Sequence, residues 1–316
     1  MTKKKLVSIT VPCFNEVDNV EAMANALIAE MENLPQYSFE IIFIDNYSTD
    51  GTRDIIRKLC ERDLRIKAIF NSRNFGQFNS PYYALCQANG DCAIGISCDF
   101  QEPPSLIPRM LELWEEGHGI VCPVKTQSRE NRLMYFLRSC YYKLIHRLSS
   151  VEQIEQFTGF GLYGRPFLDV MRSLDDPTPF LRGIVAELGP ADRAVLPYEQ
   201  QQRRSGKSSN NFLTLYDAAM LSFTSYTKAP LRAAVFIGFG ASAISLIIAA
   251  IYLALKLTNW AAWPAGSIPV LLAVLVLGSL QLLFIGLLGE YVLAINARSM
   301  KRPLVVEEER LGNWEE

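Results

Sequence analysis

FEIIFIDNYSTDGT, residues Phe39–Thr52, passes from a run of β-branched and aromatic residues to a carboxylate, Asp45, and then to a turn. The turn residues Asn46, Ser48, Asp50 and Gly51 open a helical pattern over Asp50–Cys60, with Ser48 or Asp50 as the expected N-cap. A strand that ends on an acid and feeds a helix is half of a βαβ unit. Its neighbours repeat the pattern. Leu6–Val11, Ile66–Phe70, Cys92–Ser97 and Ile120–Val124 are short and apolar, and Asp18–Asn33, Ser80–Ala88 and Ser105–Glu116 carry helical spacing between them. Strand and helix in strict alternation predict an α/β fold with a doubly wound, mostly parallel sheet. Such sheets bind ligands beyond the carboxyl ends of their strands. Polar residues gather at those ends: Asn15 and Glu16 after the first strand, Asp45 and Asn46 after the second, and Asp99, Gln101 and Glu102 after the fourth.

The whole chain has 316 residues, 49% hydrophobic and 20% charged, with a net charge of −2. Near-neutral charge argues against a nucleic-acid binder, which would show a basic domain. Mean hydropathy is +0.10, high for so charged a chain, and two unlike segments explain it. No residue from Ala233 to Leu255 is charged, nor any from Leu257 to Gly289. Each run can hold a helix of about 20 residues, enough to cross a bilayer. Lys228 and Arg232 precede the first run, and Arg298, Lys301 and Arg302 follow the second, so the positive-inside rule places both ends in the cytoplasm. Trp260 and Trp263 suit the outer interface, and the basic start at Met1–Leu6 lacks the apolar core of a cleaved signal. Two further segments are amphipathic: Arg129–Arg147, basic and suited to a membrane surface or to packing on its own domain, and Phe212–Tyr226. Gly238 and Ser242 give one small-xxx-small step, which makes a second copy of the chain a candidate partner.

Several motifs lead elsewhere. Gly159, Gly161 and Gly164 spell a dinucleotide fingerprint, but in mid-chain with no first strand before it. Gly206-Lys207-Ser208 resembles the end of a P-loop without its leading glycine. The seven cysteines are odd in number and unpaired in spacing, so reduced thiols are expected, and His118 and His146 lie too far apart to suggest a metal site.

The ordered set Val11-Pro12-Cys13-Phe14-Asn15-Glu16, Asp45-Asn46-Tyr47-Ser48-Thr49-Asp50-Gly51-Thr52, Asn74-Phe75-Gly76, Asp99-Phe100-Gln101-Glu102-Pro103-Pro104 and Arg203-x-x-Gly206-Lys207-Ser208 resembles family 2 glycosyltransferases. Within them it is most similar to the membrane-anchored polyisoprenyl-phosphate glycosyltransferases. The resemblance covers nearly the whole chain and implies a fold of GT-A type. It implies inverting transfer of a sugar from a nucleotide diphosphate sugar to a polyprenyl phosphate such as undecaprenyl phosphate, at the cytoplasmic face of the inner membrane, with Mg²⁺ or Mn²⁺. By the same resemblance Pro12, Asn15, Glu16, Asp45, Asn46 and Asp99 hold the nucleotide sugar. Asp99 holds the metal, with Gln101 and Glu102 beside it. Arg129, Arg132, Arg203, Lys207 and Ser208 meet phosphate on the leaving diphosphate or the lipid, and Asp99, Arg203 and Lys207 carry catalysis.

The expected division is a catalytic domain over 1–210, with an interfacial segment at about 129–148, then a juxtamembrane helix over 211–231. Two spans over 232–296 and a cytoplasmic acidic tail over 297–316 complete it. The chain departs from the family where paired aspartates read Asp45-Asn46, where a glycine is Tyr47, where the first acid of the D-x-D motif is Ser97, and where an acid and an arginine give way to glycines near 160. These departures leave open a membrane-bound scaffold without turnover, and a transferase that extends a lipid-linked saccharide.

Overall fold

In the computed structural model the described residues are 4–126, 154–205, 220–221, 229–258 and 267–314. The five expected strands form: β1 (Leu6–Cys13), β2 (Ser38–Asp45), β3 (Ile66–Asn71), β4 (Cys92–Gly95) and β5 (Ile120–Lys125). Helices α1 (Val20–Glu32), α2 (Thr52–Arg62), α3 (Gly76–Gln87) and α4 (Ile107–Glu115) lie between them. Alternate strand residues face opposite sides, and each side has its own core. Ile41 and Phe43 pack with Val7, Ile9 and Val11 against Met23, Leu27, Ile56 and Met110, from α1, α2 and α4. Ile42 and Ile44 pack on the other side with Tyr82 and Leu85 of α3. Helices cover both faces, which is why these strands read as nearly unbroken apolar runs.

Three strands are additional. β6 (Gly161–Gly164) runs antiparallel to both β4 and β5, and β7 (Ala194–Tyr198) runs parallel to β5. The fingerprint-like glycines thus belong to a strand and its approach. A Cβ on Gly161 would stand 2.6 Å from the Val121 carbonyl oxygen, so the β5–β6 contact requires glycine. Helices α5 (Arg165–Ser173) and α6 (Leu181–Leu188) follow β6 and join the α3 side through Leu168, Met171, Ile184 and Val185. The third addition is β8 (Glu307–Leu311), antiparallel to β3, within the segment read as an acidic tail. The sheet order is β7-β5-β6-β4-β1-β2-β3-β8, mostly parallel as expected.

The described residues fall into two units, one holding the sheet and the residues from 297 onward, the other the long apolar helices. These helices are α7 (Ala229–Thr258) and α8 (Ser267–Ser299). Two spans are expected from sequence; among the described residues one stretch, Val276–Ser299, is long and apolar enough to cross a membrane, with mean hydropathy 1.8 and none of it buried. Phe236, Phe239 and Leu282 are each more than 70% exposed. The amphipathic segment at 129–148, with Arg129 and Arg132, lies outside the described residues, as do Lys207, Ser208 and most of 211–231.

Candidate active site

The carboxyl ends of β1, β2 and β4 converge, and their loops are stitched together by side chains. After β1, the Asn15 backbone N–H donates to Ser48 Oγ at 2.8 Å, and Asn15 Oδ1 accepts from the Thr49 N–H at 2.9 Å. The Glu16 N–H donates to Thr52 Oγ1 at 2.9 Å, fastening the same loop to the start of α2. Neither expected residue caps α2: its N-cap is Gly51, at φ +98°, a backbone that favours glycine. Asp50 instead uses Oδ1 to accept from Thr52 and Oδ2 to accept from the Val17 N–H. Three non-glycine residues near these strand ends, Asn15, Tyr47 and Phe100, also sit at positive φ. Such conformations persist where surrounding contacts enforce them, and they concentrate at functional sites.

Asp45 is fully buried. Its Oδ2 accepts from the Ser48 N–H at 3.0 Å and from Arg53 Nε at 2.6 Å, whereas its Oδ1 has no partner. A buried lone acceptor is costly unless something donates to it. Asn46 is spent on the protein: Nδ2 donates to Asn74 Oδ1 at 2.9 Å and to Gly76 O at 3.2 Å, and Oδ1 accepts from Asn71 Nδ2 and the Phe75 N–H. An aspartate could not make the two donations. The asparagine therefore fits a locking role for the Asn74-Phe75-Gly76 turn, and Pro12, partly buried on β1, lines the same edge.

Arg203 comes from far along the chain and meets two acids. It pairs with Glu16 Oε1, and its Nη1 lies 3.9 Å from Asp99 Oδ2. Glu16 Oε2 accepts from Asn19 Nδ2 at 2.6 Å, and Ser205 Oγ donates to Asn19 Oδ1 at 2.8 Å, so the Arg203 loop is held from both sides. Burial pushes the Glu16 carboxyl up from its ordinary range, against the pull of Asn19 and Arg203. The Asp99 backbone oxygen accepts from the Arg204 N–H at 3.3 Å, and its Oδ1 accepts from the Gln101 N–H at 3.1 Å. The Gln101 carbonyl accepts from the Gln201 N–H, so the β4 loop and the Arg203 loop share backbone bonds.

Glu102 is placed differently from Asp99. It is buried, its Oε2 accepts from the Ser97 N–H at 2.8 Å and its Oε1 from Thr158 Oγ1 at 3.0 Å. Burial pushes its carboxyl up from its ordinary range, only partly opposed by those donors, and the nearby Asp99 charge adds to the rise. Each Glu102 oxygen thus already accepts one hydrogen bond from the protein. No group of three or more acids, histidines or cysteines gathers among the described residues to cage an ion. Magnesium-like ions fit the remaining donor set, because they reach a protein through one or two carboxylates and complete their shell with phosphate oxygens and water. Asp99 meets that requirement, with Gln101 next to it.

Glu102 has a measurable consequence. Its carboxyl holds a proton to higher pH in the fold than in the unfolded chain, so its contribution to stability is full below about pH 4.3 and declines as pH rises through the folded value. Glu102→Gln, neutral at every pH, is expected to flatten that decline. Urea midpoints taken at about pH 4 and about pH 7 should differ less in the variant than in the wild type. Parallel changes in the two proteins would show that another group titrates.

The model of glycosyl transferase family 2 matches residues 8–171, just over half of the chain. A bactoprenol glucosyl transferase of Shigella phage SfX is 30% identical over 94% of this chain and 97% of its own length. A prophage bactoprenol glucosyl transferase homolog of Escherichia coli K12 is 29% identical over 94% of this chain and 96% of its own. Among solved structures, mannosyl-3-phosphoglycerate synthase from Rubrobacter xylanophilus shares the fold at a TM-score of 0.50 and 16% identity, covering 74% of this chain and 75% of that one.

Proposed function

Because the chain belongs to glycosyl transferase family 2, we propose that this glycosyltransferase moves a sugar from a nucleotide diphosphate to a polyprenyl phosphate, with inversion at the anomeric carbon. The observation that carries the reading is the meeting of Arg203 with Glu16 and Asp99 at the strand edge that also holds the unpaired oxygen of Asp45. A base N–H or a ribose O–H would satisfy Asp45 Oδ1. Asp99 would hold Mg²⁺ or Mn²⁺, which when bound neutralises charge on the diphosphate. Arg203, already beside Asp99, supplies positive charge where negative charge develops on the leaving group. Lys207 and Ser208, a few residues on in the sequence, would add to the charge meeting the diphosphate, and Arg129 and Arg132 would serve the lipid phosphate.

The acceptor reading rests on chemistry as well as on the relatives' names. An acceptor phosphate oxygen attacks the anomeric carbon, the bond from that carbon to the diphosphate oxygen breaks, and the nucleoside diphosphate leaves with the electron pair. A phosphate monoester has a second pKa of about 6, so at neutral pH it needs no base. The acids near Asp99 accord with this: Glu102 has both oxygens occupied, and Glu16 is paired with Arg203. The exposed apolar helices and their flanking cations support a catalytic domain held at the cytoplasmic face of an inner membrane, with α7 and α8 as spans.

Acceptor competition tests the reading. The full chain, labelled nucleotide sugars and Mg²⁺ or Mn²⁺ are offered undecaprenyl phosphate and a lipid-linked saccharide together. Label is expected on the phosphate, at a rate that rises through about pH 6 and then levels. Preference for the lipid-linked sugar would instead favour chain extension, and donor binding without transfer to any acceptor would favour a scaffold.

A further inference from the structure

β8 is a strand with little intrinsic reason to be one. Its sequence Glu307-Glu308-Glu309-Arg310-Leu311 lacks β-branched and aromatic residues. It is held by its ladder to β3 and by charge: Arg57 pairs with Glu309, Tyr83 donates to Glu307 at 2.8 Å, and Arg53 Nη1 donates to Glu308 Oε2 at 2.8 Å. The last contact differs from the others in where it leads. Arg53 also donates through Nε to Asp45 Oδ2 at 2.6 Å and through Nη2 to the Asn71 carbonyl at 2.5 Å. Its guanidinium lies 5.2 Å from the ring centres of both Tyr47 and Phe70, and its side chain is 15% exposed. Each of its three nitrogens is therefore engaged. Because a carboxylate is planar, fixing Asp45 Oδ2 fixes the direction of Oδ1, the buried oxygen with no partner.

We infer that Arg53 is a positioning residue for the nucleotide, and that Glu308, on the strand that follows the apolar helices, completes its placement. The nucleotide site is then finished by the chain's return from the membrane unit to the sheet. The inference rests on the nucleotide reading above and adds to it a residue and a strand that the motifs do not include. Arg57 provides the internal comparison. It ties the same strand through Glu309 but makes no contact with Asp45.

The test is calorimetric binding of UDP, GDP, ADP and CDP to the full chain, with thermal melts to confirm folding. Arg53→Gln should weaken the nucleotide that the wild type binds by about tenfold, and Arg53→Lys should recover part of this, since lysine offers charge without the fork. Glu308→Gln should weaken binding by about threefold, and Arg57→Gln should stay within about twofold of wild type while losing as much thermal stability as Glu308→Gln. In turnover, Arg53→Gln should raise the donor KM and leave kcat within about twofold. Binding by Arg53→Gln within about twofold of wild type would overturn the inference. So would an equal loss in Arg57→Gln, which would reduce Arg53 to a strand fastener. A wild type that binds none of these nucleotides would overturn the nucleotide reading, and this inference with it.

Discussion

Asp99→Ala is expected to lower kcat/KM for sugar transfer by about 10²–10³-fold, the range that follows loss of one preorganised charge-stabilising group. Asp99 lies in the loop after β4 and stands 3.9 Å from Arg203, and it is the acid of its motif whose Oδ2 is not spent on a neighbouring backbone or hydroxyl donor. Alanine also removes the acceptor for the Gln101 N–H beside Phe100 at φ +61°, so part of the loss could come from the loop. Asp99→Asn separates the two causes. It keeps an oxygen for Gln101 but removes the charge, and it should be nearly as inactive as alanine while melting close to wild type. Full activity in Asp99→Asn would show that no metal or diphosphate charge depends on this side chain.

Arg203→Ala is expected to lower kcat by about 10²-fold, because charge on the departing diphosphate loses a preorganised partner. It should also cost about 1–3 kcal/mol of stability, since Glu16 keeps its burial and loses its cation. The pH dependence identifies the cause. Burial already holds the Glu16 carboxyl above its ordinary range and Arg203 opposes that rise. Without the arginine the folded state binds this proton more tightly still, so the variant's deficit should be small in acid and grow as pH rises through the carboxylate range. Denaturant titrations of wild type and variant across that range measure it. A deficit independent of pH would place the arginine's role elsewhere.

Much of this architecture is legible in the sequence, for reasons that particular residues make plain. β1 to β3 are covered on both faces, so their composition is mostly apolar, and β2 and β3 end on polar residues, Asp45 and Asn71. β6 has only Leu162 and Tyr163 between two glycines, one facing each core, which is too short for periodicity to register. β7 carries Pro197, tolerated because it is an edge strand, and β8 is made almost wholly of charges whose partners lie on α2 and α3.

The site divides in the same way. Asp45 and Asp99 are legible because strand-end acids have few structural explanations. That Arg203 pairs with Glu16, 187 residues away, is a matter of topology that no local pattern carries. Asn46 and Glu102 occupy motif positions, yet their polar atoms are satisfied within the protein. Arg53 follows Thr52 at the start of α2 and reads as an ordinary helix residue until the fold brings Asp45, Asn71 and Glu308 around it.

The central claim is that a donor diphosphate site at the ends of β1, β2 and β4 delivers sugar to a lipid phosphate. The most direct test is mass-spectrometric detection of product from the full chain in liposomes, supplied with a panel of nucleotide sugars, a divalent metal, and either undecaprenyl phosphate or undecaprenol. The account predicts a sugar–phosphate–undecaprenyl product from at least one donor, formed with the phosphate and absent with the alcohol. Transfer to the alcohol, or no product from any donor that demonstrably binds, would contradict it.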